Sequence, residues 1–119
     1  MPERRARRYP RAVRVNELLR EILAEELELV EDGDERLGLS TITAVDADTD
    51  LRRATVFLSS LSEEAAAALV EHRPRLQAAI ARQARLKRTP QLSFVPDPGV
   101  AQGARVEGIL RELRQHGGE

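Results

Sequence analysis

Ala54-Thr55-Val56-Phe57-Leu58-Ser59, Ser62-Glu63-Glu64-Ala65 and His72-Arg73-Pro74 follow one another along residues 54–74, and their reading decides the fold. In the first, Ala54, Val56 and Leu58 point one way and Thr55, Phe57 and Ser59 the other, which predicts a strand running to about Leu61 with one face on a core. Ser62 is a helix N-cap, and Glu63 and Glu64 are favourable in the first turn. Ala65 to Val70 then forms a compact helix. Pro74 disfavours a helical Arg73 and suits the first position of a new helix, so His72-Arg73-Pro74 predicts an interhelical kink. The second helix runs to about Leu86 with Leu76, Ile80 and Ala84 on one side. Pro74→Leu is accordingly expected to disturb folding or RNA affinity by favouring one continuous helix.

Outward from this stretch, Pro90 to Val95 is a further strand, with Leu92 and Phe94 sharing a face, and Pro96-Asp97-Pro98-Gly99 ends it. Leu39 to Asp48 is rich in Thr, Ile and Val, and its short connection Asp48-Thr49-Asp50-Leu51-Arg52-Arg53 predicts an antiparallel hairpin with the strand at Ala54. From about Arg11 a helix places Val15, Leu18, Leu19, Ile22, Leu23 and Val30 near one stripe, with Leu27 at its edge. It fades at Glu31-Asp32-Gly33-Asp34. Residues 1–10 carry two prolines and no apolar period and are expected to form a flexible basic arm. Val106, Ile109, Leu110 and Leu113 fit a C-terminal helix within residues 98–119. The expected architecture is α+β in the order αββααβ over residues 11–97, helices on one face of a three-stranded sheet, plus the C-terminal helix. That order matches a KH-like domain of type II, with its additional helix at the N-terminus.

The 119 residues contain no cysteine, which leaves neither disulfides nor thiolate metal sites. No apolar run reaches the roughly 20 residues of a membrane span, and no secretory signal follows the basic start. The net charge of −1 conceals segregation. Residues 1–20 hold seven Arg and two Glu, a net +5; residues 21–50 hold one Arg and eleven acids, a net −10. Residues 51–95 hold eight basic and three acidic side chains, a net +5. Lys87 is the only lysine among nineteen basic residues. Arginine binds phosphate in bidentate geometry and stacks on bases, which suits RNA; GC-rich coding produces the same bias.

The basic residues fall into two groups. Arg4, Arg5, Arg7, Arg8, Arg11 and Arg14 crowd the N-terminus. Arg75, Arg82 and Arg85 lie within about 80° on a helical wheel, opposite Leu76, Ile80 and Ala84, and Arg73, Lys87 and Arg88 extend that stripe in sequence. Both groups are candidate RNA contacts, because phosphate binding needs several charges; a solvated helix face explains the stripe equally simply. The acidic run Glu25, Glu26, Glu28, Glu31, Asp32, Asp34 and Glu35 lacks the spacing of a Ca²⁺ loop and reads as a solvated, phosphate-repelling flank. Asp46, Asp48 and Asp50 read as turn chemistry. Neither His72 nor His116 has a recognisable nucleophile beside it, and Gly99, Gly103 and Gly108 do not make a phosphate loop. No catalytic residue, metal site or cofactor is expected. Tyr9, Phe57 and Phe94 are too few for a base-stacking platform, so recognition of folded RNA by shape and phosphate is expected.

Glu35-Arg36-Leu37-Gly38 before a strand, then Asp50-Leu51, then Ala54-Thr55-Val56-Phe57-Leu58, and finally Arg85-Leu86-Lys87-Arg88-Thr89-Pro90-Gln91-Leu92-Ser93-Phe94 stand in an order and spacing that resemble the ribosome-binding factor A family. The likeness runs from about Arg14 to Phe94. It implies a bacterial, cytoplasmic, KH-type protein, monomeric off the ribosome, that binds the 30S subunit through 16S rRNA during late maturation and has no catalysis of its own. The family usually carries Ala-x-Gly between the paired helices. Here His72 takes the place of the Ala and Pro74 that of the Gly, and no Gly-x-x-Gly loop is present. The alternative from another class is a charge-polarised protein–protein adaptor; steep salt dependence would mark the RNA binder.

Overall fold

The computed structural model describes the backbone of residues 2–38 and 40–99 and the side chains of 11–38 and 40–99. Helix α1 spans Pro2–Glu31. It starts before the expected Arg11, so residues 2–10 continue the helix where the sequence reading has an arm without regular structure. Arg and Ala are strong helix formers, and Pro2 stands at the first helical position, where its missing N–H costs no bond. The expected C-terminal helix lies outside the described residues.

After α1 the chain tightens at Gly33, whose N–H bonds to the Val30 carbonyl, and enters a 3₁₀ turn, Glu35–Leu37. Asp34 caps that turn by accepting from the Arg36 N–H. Gly38 leaves it at φ 57°, in the left-handed region where a Cβ is strained, which accounts for the glycine. Strands β1 (Ile42–Ala47), β2 (Arg53–Leu58) and β3 (Gln91–Pro96) make one sheet in the order β1-β2-β3. β1 and β2 form the expected antiparallel hairpin, with Val45 opposite Val56, and β3 lies parallel to β2, with Leu92 opposite Ala54 and Phe94 opposite Val56. A parallel neighbour needs a crossover, and helix α2 (Glu63–Gln83) supplies it.

The core lies between the two helices and one face of the sheet. Ala54, Val56 and Leu58 are buried, as the alternation predicts, against Leu19, Ile22, Leu23, Val30, Leu69, Leu76, Ile80 and Leu92. Leu27 is fully part of this core, whereas Leu18 is 38% exposed, so α1 is rotated a little from the predicted stripe. The side chain of Asn16 fastens α1 to β1 by accepting from the Ala47 N–H at 2.9 Å, and Gln77 fastens α2 to β3 by accepting from the Leu92 N–H at 3.1 Å.

Two expectations about α2 are corrected. The helix continues through His72-Arg73-Pro74, so one helix stands where a pair with an interhelical kink was expected, and the observed order is αββαβ with the 3₁₀ turn after α1. Pro74 deprives the Val70 carbonyl of its donor. Both residues are on the exposed side of α2, where a carbonyl without its helical donor is open to solvent and a helix bends with least obstruction. The helix also stops at Gln83 rather than about Leu86. Ala84 turns to an extended backbone while its N–H still caps the Ile80 carbonyl, and Leu86 packs against the core. Arg85, Lys87 and Arg88 therefore stand on the connection to β3.

With Pro74 inside a continuous helix, the expected effect of replacing it changes sign. Pro74→Ala restores the bond to the Val70 carbonyl, a gain partly offset by the looser unfolded chain. We expect a net stabilisation of about 1–2 kcal/mol, a rise in Tm of roughly 4–8 °C per kcal/mol for a domain of this size, measured by thermal unfolding. An unchanged or lowered Tm would show that the proline bend is required by packing.

Candidate nucleic-acid interface

The candidate basic residues occupy three environments. Arg11 and Arg14 are exposed on α1; Arg4, Arg5, Arg7 and Arg8 precede them on the same helix, and their side chains are outside the described residues. Arg73 packs over the Phe94 ring, 5.9 Å from its centroid, and is half-buried, so its guanidinium supports the α2–β3 contact instead of facing solvent. Arg85, Lys87 and Arg88 are exposed and form no ion pair among the described residues.

Arg75 and Arg82 share a partner that the sequence reading did not assign. The Glu26 carboxylate, only 10% exposed, accepts from Arg75 Nε at 2.7 Å and lies 3.7 Å from Arg82 Nη2. One acid of α1 thus holds two arginines of α2, both of which keep half or more of their side-chain surface in solvent. Glu26 sits within about 20° of Leu19 on the helical wheel. An acid in the middle of an apolar stripe is a detectable sign of a buried partner. The stripe is consequently less uniform than its spacing suggests: Arg75 and Arg82 are partly neutralised, and Arg85 lies beyond the helix.

The acidic flank also divides. Glu25, Glu28 and Asp32 are exposed. Burial, reinforced by Glu28 and Asp32, pushes the Glu31 carboxyl up from its ordinary value. Asp34 belongs to a network that ties the turn after α1 to α2. Arg36 donates Nε to Asp34 Oδ1 at 2.9 Å and Nη2 to Asp34 Oδ2 at 2.6 Å. The same guanidinium reaches both oxygens of Glu71 at 2.8 and 3.0 Å. His72 Nε2 lies 2.9 Å from Asp34 Oδ2. These hydrogen bonds, Arg36 first and His72 second, hold the Asp34 carboxyl well below the usual range. His72 thus has a fastening role where a kink was expected.

Among the described residues no group of His, Asp and Glu could hold a metal ion, and no helix is long and apolar enough to cross a membrane. Asp50 acts as a turn former: its carboxylate accepts from the Arg52 N–H and pairs with the Arg52 side chain. His116, Gly103 and Gly108 lie outside the described residues. The face of the sheet turned from the helices carries Thr55 and Phe57, both half-buried, and offers no row of aromatic rings.

The described surface therefore combines an exposed basic connection, two arginines oriented by a buried acid, and a basic helix start, all on a small α+β domain. The sequence model of ribosome-binding factor A matches residues 11–110. The ribosome-binding factor A of Rubrobacter xylanophilus is 40% identical over 114 residues, covering 92% of each chain. The crystal structure of ribosome-binding factor A from Thermus thermophilus superposes with a TM-score of 0.66 at 36% identity, over 71% of this chain and 93% of that one. A homology model of the Thermus thermophilus protein, fitted into a cryo-EM map of its complex with the 30S subunit, gives 0.57 at 38% identity, over 66% of this chain and 87% of that one. With the family matched across most of its length and the fold shared, this chain belongs to the ribosome-binding factor A family.

Proposed function

We propose that this protein binds the 30S subunit in the cytoplasm as a monomer, contacts 16S rRNA by shape and phosphate, and assists late maturation without catalysing a reaction. The observation that carries the reading is the exposed connection Arg85, Lys87 and Arg88, three cations without ion pairs among the described residues, in a chain of this family. Free guanidinium and ammonium groups neutralise phosphate and release its counterions. Arg82 and Arg75, held by Glu26, stand on the helix that leads into this connection and extend the same footprint. Exposed acids on α1 oppose docking by that side and so help to set orientation.

Sedimentation of the purified protein with 30S particles tests the proposal. We expect co-sedimentation whose affinity falls roughly tenfold or more between 50 and 200 mM salt. The same preparation should leave nucleotides and rRNA chemically intact. Absence from the 30S fraction, or binding indifferent to salt, would refute an rRNA footprint and favour a protein partner.

A further inference from the structure

Between the N-terminal half of α1 and the β1–β2 hairpin runs a groove of about 680 Å³, within the range of roughly 300–1,000 Å³ typical of small-ligand clefts. Its apolar lining comes from Val15, Ala47 and Leu51, and its polar rim includes Arg11, Arg14 and Asp48. We infer that this groove takes one unstacked nucleotide of single-stranded RNA, a contact that rests on the proposed rRNA binding and goes beyond shape and phosphate.

Three observations select this occupant. The first is charge: Arg11 and Arg14 stand on the α1 wall, and α1 continues towards its N-terminus through a sequence that has six arginines in residues 4–14. A phosphate of a nucleotide in the groove lies beside these two arginines of the wall, and planar guanidinium groups also stack on bases. The second is the carboxylate on the opposite rim, Asp48. The Asp48 backbone closes the turn, its N–H to the Arg53 carbonyl and its carbonyl accepting from the Leu51 N–H, while its carboxylate makes no hydrogen bond among the described residues. A carboxylate on the rim accepts from a base amino group, as acids do from the amino group of cytosine. This predicts a base with an exocyclic amino group and disfavours uracil.

The third observation is backbone strain. Leu51 has φ 58°, the only non-glycine residue with positive φ among those described. This conformation is disfavoured for a side chain, and glycine would adopt it without strain. The hairpin nevertheless has a leucine here, half-buried and lining the groove. A strained residue that supplies the floor of a cleft is the pattern of a retained binding surface.

The test uses the full-length chain and isolated 30S subunits. Ala12, exposed on the α1 wall of the groove, is replaced by Trp to fill it. Thr49→Trp at the hairpin serves as an independent filling variant, and circular dichroism checks that each remains folded. We expect both to bind 30S about tenfold more weakly, in line with the loss of one base contact. A photo-reactive benzoylphenylalanine at position 49 should crosslink to 16S rRNA, at a nucleotide other than uridine. Wild-type affinity in both folded Trp variants, or a crosslink only to a ribosomal protein, overturns the groove assignment while salt-sensitive 30S binding stands. Failure of the unmodified chain to bind 30S removes both readings together.

Discussion

Reversing Arg85, Lys87 and Arg88 together to Glu should lower affinity for the 30S subunit by about two orders of magnitude near 0.15 M salt. The magnitude follows from counterion release: each lost phosphate contact removes roughly 0.7–0.9 from the slope of log K against log salt, so three contacts flatten it by about 2–3 units. The charge reversal adds repulsion. Thermal stability should change little, because all three side chains are exposed and make no ion pair among the described residues. Arg75→Glu is a poor test of the same surface, since it sets a second carboxylate against the buried Glu26 and must destabilise the α1–α2 contact. Arg82→Glu shares that defect in weaker form, at a contact of 3.7 Å. Co-sedimentation across a salt series measures both affinity and slope. A triple variant with wild-type binding and an unchanged slope would move the footprint elsewhere, with Arg52 and Arg53 on the hairpin the next exposed pair.

Elements whose local chemistry agreed with their tertiary setting were legible in the sequence. Ala54, Val56 and Leu58 alternate because only one face of β2 is packed on helices, and that pattern also predicts their burial. Ser62 reads as a cap and is one, accepting from the Ala65 N–H at 3.0 Å. The misreadings arose where a local preference was overridden. Proline is a strong helix breaker, yet Pro74 lies on the exposed side of α2, where losing one donor is tolerable and the buried side chains at Leu69, Leu76 and Ile80 hold the helix on both sides. The end of α2 has no glycine or proline signal; it is set by Leu86 returning to the core and by β3 pairing with β2.

The candidate interface was legible in its charges but not in its pairings. Segregated arginines are visible by counting, whereas which of them are occupied depends on contacts distant in sequence. Glu26 meets Arg75 across 49 positions and Arg36 meets Glu71 across 35. Arg73 stands with the RNA contacts by its position two residues before Arg75, but residues two apart in a helix point about 160° apart, and this side chain turns inward onto Phe94. The position of Glu26 inside an apolar stripe was the one local clue that charge counting alone passes over.

Asp34→Asn should lower the thermal stability of the domain by several degrees at neutral pH, with the loss shrinking in strong acid. The substitution keeps the shape of the side chain but removes the charge that accepts from Arg36 and faces His72. Without it, the tie to His72 is weakened and the exposed Arg36–Glu71 pair is left as the ionic fastening of the turn at Glu35–Leu37 to α2. Leu37, buried in the core, depends on that turn. The pH dependence has a definite sign. The folded carboxyl of Asp34 titrates below its unfolded value of about 3.9, so its contribution is fully present above that pH and disappears as pH falls through the depressed folded value. Glu71, also held low by Arg36, is present in both proteins and largely cancels from their difference. The asparagine variant carries no charge here at any pH. The gap in Tm between the two proteins should therefore be widest and flat from about pH 5 to 7 and narrow progressively below about pH 4. Unfolding curves across pH 3–7 measure it. A gap that is absent at pH 7, or independent of pH throughout, would show that Asp34 serves only as a neutral cap and that the ion pairs around Arg36 contribute nothing to holding the turn against α2.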